Sequence, residues 1–183
     1  KKGHLMSAGK KAYWVLVAAT VTVYGFMIFW AGPNIADMSG GRTPFDLHMF
    51  GYSHAEAQEF LAALTSGGAA FYLGPAMWLD TFFPAMFAVV LGAGCWILLD
   101  HRPLVMRIGA ALLAGCYALF DYLENAAVVR MLNSVPEDLS VALVDTASRW
   151  TELKFFFVDA AITVLVVLVI ARLLERRKNR NSQ

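Results

Sequence analysis

The chain has 183 residues, of which 58% are hydrophobic and only 16% charged, with a mean hydropathy of +0.55 and a formal net charge of +1. A soluble domain carries roughly 25% charged residues, so this composition argues against one, and equally against a disordered segment, a disulfide scaffold or a nucleic-acid-binding protein. The charges are clumped, and the long uncharged runs between them are the pattern of membrane spans.

In chain order, Lys1 to Leu5 read as a cloning remnant ahead of a native start at Met6. The first predicted span, 13–31, has no charge and has Trp14 and Trp30 near its ends. A long loop, 32–70, opens with the turn signals Gly32-Pro33-Asn34 and Gly40-Gly41. Within it, Ser53-His54-Ala55-Glu56 reads as a capping box. Phe60, Leu61 and Leu64 follow on one face of an amphipathic helix, and Gly67-Gly68 are expected to end it. The second span, 71–99, has Asp80 as its only charge. The short link Asp100 to Pro103 forces an antiparallel hairpin with the third span, 104–131, which is apolar until Asp121. A second helix start is expected at Ser134-Val135-Pro136-Glu137. The fourth span, 150–174, carries Glu152, Lys154 and Asp159 in its first half.

Each span covers the ~20 residues that cross ~30 Å of hydrocarbon. Helices satisfy their own backbone there, and the runs lack the alternation of barrel strands. The expected fold is therefore all-α: a polytopic, antiparallel four-helix membrane bundle, one membrane domain over 1–183, with an amphipathic helix in the long outer loop. Lys1, Lys2, Lys10, Lys11, Arg102, Arg107, Arg172, Arg176, Arg177, Lys178 and Arg180, eleven of the 15 Lys and Arg, fall on one side. Only Arg42, Arg130, Arg149 and Lys154 are left for the other. The positive-inside rule then places both termini in the cytoplasm, with a bacterial inner membrane as the expected setting. The loop helix is expected to lie on the outer membrane surface or to cap the bundle. No internal repeat points to an inverted-repeat transporter.

Cys95 and Cys116 lie in different spans without a CxxC pattern, so they read as small buried apolar residues. His4, His48, His54 and His101 all lie outside the spans, which excludes a haem held at membrane depth. His48 and His54 lack a metal-ligand spacing and are expected to be solvated loop residues. No metal and no cofactor are expected.

The informative residues are the ionisable ones inside the spans. Counted from the basic edge at ~1.5 Å per residue, Asp80 lies ~28 Å deep, Asp121 ~25 Å and Asp159 ~20 Å. Three helices thus place polar groups in one layer of the outer third. Asp121, Glu124 and Asn125 share a helix face by i+3 and i+4 spacing. Charges at this depth are costly unless paired, hydrated or turned inward. Lys154 is therefore expected to pair with Asp121 or Glu124, with Asp80 and Asp159 nearby. Several carboxylates around one Lys leave net negative charge, which predicts a shifted carboxyl or a bound cation. Aromatic and Met residues surround the layer, and Gly74-Pro75 and Pro84 would kink the second helix and open a pocket.

The run Asp80-Thr81-Phe82-Phe83-Pro84, with the chain's size and four spans, resembles the emopamil-binding and sigma-2-receptor superfamily. That resemblance implies sterol-like ligands, in some members with double-bond isomerisation. It covers one short stretch and assigns no residue here.

The expected function is a membrane lipid or small hydrophobic ligand bound in a polar, aromatic-lined pocket, with acid/base chemistry on it left open. Asp121, Glu124 and Lys154 are the candidate catalytic residues. Asp80, Asn125, Asp159, Trp78, Tyr122 and Trp150 are the candidate ligand contacts. The alternatives are a non-catalytic subunit or assembly factor of a larger membrane complex, and an ion or proton transporter acting as a homo-oligomer.

Overall fold

The computed structural model describes residues 8–181; the expected remnant Lys1 to Leu5 and Met6 lie outside them. Four helices are long and apolar enough to cross a membrane: Ala8–Met38, Ser66–Leu98, Leu104–Leu132 and Val141–Arg180. The chain is thus an integral membrane protein of all-α class, and its spans form the expected four-helix bundle.

The first crossing is composite. Helix α1 (Ala8–Phe26) passes through a π-helical turn, Met27–Ala31, into α2 (Gly32–Met38). Gly32-Pro33-Asn34 therefore do not end the span, contrary to expectation. The wide turn brings Gly32 N–H to the Met27 carbonyl, and Pro33 falls in the first turn of α2, where a missing N–H costs nothing. Asn34 Nδ2 donates to the Trp30 carbonyl at 2.7 Å, repairing the ladder next to the proline.

After a turn at Gly40-Gly41, where φ is 67° and 81°, the loop leads to α3 (His54–Ala63). Its capping box is complete: Ser53 Oγ accepts from Glu56 N–H, and the Glu56 carboxylate accepts from Ser53 N–H at 2.7 Å. Those bonds hold the Glu56 carboxyl below its usual range. The helix does not run to Gly67-Gly68. It stops at Ala63, and Thr65 caps a new helix, α4 (Ser66–Phe71), by accepting from Gly68 N–H at 3.0 Å. Gly68 is needed for close approach, since a Cβ there would lie 2.8 Å from Met38 Cβ. A second π-turn, Tyr72–Ala76, containing Pro75, joins α4 to α5 (Met77–Leu98).

Helix α6 (Leu104–Leu132) returns antiparallel to α5. The expected start at Ser134-Val135-Pro136-Glu137 makes only one 3-10 turn, Pro136–Asp138. The fourth helix, α7, starts at Val141 and runs to Asn181, so it is longer at both ends than the expected span. Helices α5, α6 and α7 pack mutually, whereas α1 packs chiefly on α5.

Loop and α3 cap the end opposite the termini. Phe45 sets its ring at a tilt against Tyr52 (5.1 Å) and Phe60 (4.5 Å), in one buried cluster with Tyr72, Met131 and Val144. His54 donates to the Leu139 carbonyl at 2.8 Å, and His48 Nε2 meets the Thr43 carbonyl at 3.3 Å. Both histidines are half-buried ties between loop segments, not the solvated residues expected. Cys95 and Cys116 are free, the first buried and the second half-buried.

Candidate functional site

The site is built on a break in α5. Pro84 has no N–H for the carbonyl of residue 80, and its ring crowds the preceding turn. Helix α6 supplies the missing donor and a further one beside it. Asn125 Nδ2 lies 3.4 Å from the Asp80 carbonyl, and the Tyr122 hydroxyl donates to the Thr81 carbonyl at 2.8 Å. These two candidate ligand contacts are thus engaged with the α5 backbone. Asn125 Nδ2 also reaches Asp121 Oδ1 at 3.3 Å, linking the proline break to the charged cluster.

Lys154 of α7 is the centre of that cluster. It is 6% exposed and ion-pairs with Glu124, which is 0% exposed. Its Nζ also lies 4.0 Å from Asp121 Oδ2 and donates to the Asp46 carbonyl at 3.2 Å. Glu124 takes a second bond, at 2.6 Å from the Thr151 hydroxyl one turn before Lys154. Buried ionic groups survive only when geometry and hydrogen bonds offset their desolvation, and Glu124 has both. Tyr52 packs behind it, and its phenol is pushed well above its ordinary range by burial and by the Glu124 charge.

Asp46 was not singled out by the sequence, yet it ties the roof loop to the bundle. Its carbonyl meets Lys154, and its carboxylate accepts from the Tyr72 hydroxyl at 2.7 Å. The only hint in the sequence is one acid between Phe45 and Leu47 in an apolar stretch. The roof is pinned a second time where Tyr52 N–H donates to Ser148 Oγ at 2.8 Å. Gly51, at φ 75°, makes this docking possible, since a Cβ there would stand 2.4 Å from that Oγ.

Under the roof lies a cavity of about 740 Å³ between α1 and α7, with α5 and α6 as its floor. Thr20 and Tyr24 of α1 and Met27 of the π-turn face Phe155, Val158 and Ile162 of α7 across it, and Tyr24 and Ile162 are exposed, so the cleft is open on the side where those helices part. Tyr24 also stacks on Phe83 at 5.4 Å, which holds α1 against the floor. The lining is mostly apolar and aromatic, and its polar groups converge at one end.

The candidate residues therefore divide. Asp80, Asp121, Lys154 and Asp159 line the cavity, with Asp159 at the exposed rim. Glu124 and Asn125 lie behind that wall. Trp78 and Tyr122 are exposed on outward faces, and Trp150 stacks on Phe120 at 5.6 Å; none of these three lines the cavity. Their aromatic character at this depth suits an interfacial belt. The chain matches no family model, no curated protein and no solved structure.

Proposed function

We propose that this integral membrane protein binds a small hydrophobic or lipid-like molecule in the cleft between α1 and α7. The supporting observation is a lateral, apolar cavity of about 740 Å³ that ends on Asp80, Asp121 and Lys154. That volume lies within the range of small-molecule sites, and so does a lining of apolar walls with few convergent polar groups. A sideways opening lets a ligand enter from the bilayer without crossing water. The carboxyls on the wall also supply what acid/base chemistry on such a ligand requires. In this reading the basic ends of the helices face the cytoplasm of a bacterial inner membrane, as the distribution of Lys and Arg directs.

Native mass spectrometry of the protein purified in mild detergent tests the reading. A bound small molecule or lipid is expected on the wild type and is expected to be lost from Ile162→Trp, which fills the cleft from its rim. A wild-type protein free of any specific adduct, or one whose adduct survives Ile162→Trp, overturns it.

A further inference from the structure

We propose that the tip of the roof loop, Leu47 to Phe50, is a lipid-binding wedge inserted into the leaflet opposite the termini, beside the mouth of the cleft. Its partner is the acyl-chain layer of that leaflet. The contact lies outside the cleft and holds whatever the cleft binds.

The tip turns apolar side chains outward. Leu47 is 43% exposed, Met49 47% and Phe50 92%, the last more than any other large hydrophobic side chain among the described residues. No Asp, Glu, Lys or Arg falls between Leu47 and Tyr52. His48 points its ring back at Tyr52 (5.5 Å between centroids) and at the Thr43 carbonyl. Exposed apolar side chains grouped in this way mark an interaction surface. Three side chains on a loop fall short of the ~800 Å² that a stable protein interface buries on each partner, so lipid is the better match.

Lipid also demands that irregular backbone be satisfied from within the protein. The N–H of Leu47 donates to the Pro44 carbonyl at 3.2 Å, that of His48 to Phe45 at 3.3 Å, that of Met49 to Leu47 at 3.1 Å and that of Gly51 to His48 at 2.9 Å. Tyr52 N–H donates to Ser148 Oγ. Five of the six N–H groups from Leu47 to Tyr52 are thus bonded inside the protein. A loop bathed in water has no such need.

The height of the tip is fixed by its two ties to α7, at Lys154 through the Asp46 carbonyl and at Ser148 through Tyr52 N–H. Asp121, which faces Lys154, lies ~25 Å from the basic edge, and Ser148 stands a further ~9 Å beyond Lys154. The tip therefore spans the level at which ~30 Å of hydrocarbon gives way to head groups. Trp150 stands at the same height on α7 and belongs to the interfacial belt. Interfacial segments bury their apolar face ~5–10 Å into that boundary, a depth that large side chains on a loop can reach. Gly51, at φ 75°, turns the chain back to α7 directly after Phe50. Leu47 and Met49 also line the cavity, so the wedge borders its mouth.

A nitroxide at the tip reads the depth. In the full-length chain with Cys95→Ala and Cys116→Ala, Phe50→Cys is spin-labelled and the protein is reconstituted in vesicles of phosphatidylcholine and phosphatidylglycerol. Oxygen concentrates in lipid, and a water-soluble nickel chelate, present on both sides of the membrane, stays in water. The ratio of oxygen to nickel collision rates is expected to be several-fold higher at Phe50→Cys than at Glu137→Cys, an exposed site in the 3-10 turn at the same end. Equal ratios at the two sites overturn the wedge. Strong spin–spin broadening that disappears on dilution with unlabelled protein also overturns it, in favour of a second copy seated on the tip. If the cysteine-free chain folds poorly, the unaltered protein in the same vesicles decides. Met49 is expected to resist the water-soluble oxidant chloramine-T, and its complete conversion to the sulfoxide overturns the proposal.

Discussion

The two halves of the bundle solve the same packing problem differently. In the half nearest the termini, α5, α6 and α7 are regular helices held by small residues. Cys95 and Ala110 pack with Leu99, and Leu91 with Ala114 and Ala161. Gly94 allows Tyr13 and Leu165 to close in, since a Cβ there would lie 2.8 Å from the Tyr13 hydroxyl. In the half under the cap, two crossings carry π-turns, α5 carries Pro84, and four ionisable side chains are buried. The first half needs only complementary shape. The second departs from regular helix, and at Pro33 and Pro84 a side-chain amide, of Asn34 and Asn125, meets the departure. A missing methyl in the first can be absorbed by its neighbours, whereas a missing partner in the second leaves a polar group stranded.

The strongest way to break this contrast is Lys154→Met. It leaves Glu124 fully buried without its counter-charge, and a loss of about 3–5 kcal/mol is expected, read as a collapse of the unfolding midpoint in mild detergent. The double variant Lys154→Met/Glu124→Gln is expected to recover part of that loss; no recovery would show that the pair is not the coupled unit described. Next in size is Gly94→Leu in the other half. Overpacking there is expected to cost about 1–3 kcal/mol by unfolding, without altering ligand adducts. A third variant, Gly51→Ala, places an L-residue at φ 75° against Ser148 and Glu152. It is expected to cost about 1–2 kcal/mol and to speed hydrogen exchange across residues 45–52.

Smaller still is Tyr122→Phe, which removes the hydroxyl bond to the Thr81 carbonyl and is expected to cost about 1 kcal/mol, read from the unfolding midpoint. With Pro84→Ala, which restores a helical N–H to the carbonyl of residue 80, the cost of Asn125→Leu should shrink in a double-mutant cycle. Strict additivity would show that Asn125 does not serve the proline break. The smallest expected effect is pH dependence at Glu56. Its folded carboxyl lies below the usual range of about 4.5, so its contribution is present above the unfolded value and fades as pH falls through the folded one. Ser53→Ala should flatten that acid-side slope, as followed by helix content.

Much of the regular half was legible, because hydropathy reports burial in lipid directly. The layer of Asp80, Asp121, Glu124 and Lys154 was legible too, because helical spacing and depth are fixed by residue count. The Gly40-Gly41 signal marked a real turn, but Gly32-Pro33 and Gly67-Gly68 misled. Pro33 and Gly67-Gly68 suggest turns in isolation, but a π-turn and a Thr65 cap allow both inside membrane crossings. Tyr122 and Asn125 read as ligand contacts because a sequence shows side chains and not vacant carbonyls. The usable clue was Pro84, whose missing N–H calls for a donor on whichever helix lies opposite. Asp46 stayed hidden because its partners Tyr72 and Lys154 are far away in the chain.

Lys154 also has a consequence for biogenesis. Synthesis delivers Asp80, then Asp121 and Glu124, and only afterwards the single ammonium that meets them. A nascent chain ending at α6 would carry these three carboxyls without the Lys154 ammonium that two of them face in the folded protein, so close packing of the α5–α6 hairpin waits on α7. Arrival of α7 is then the event that supplies the charge the cluster lacks.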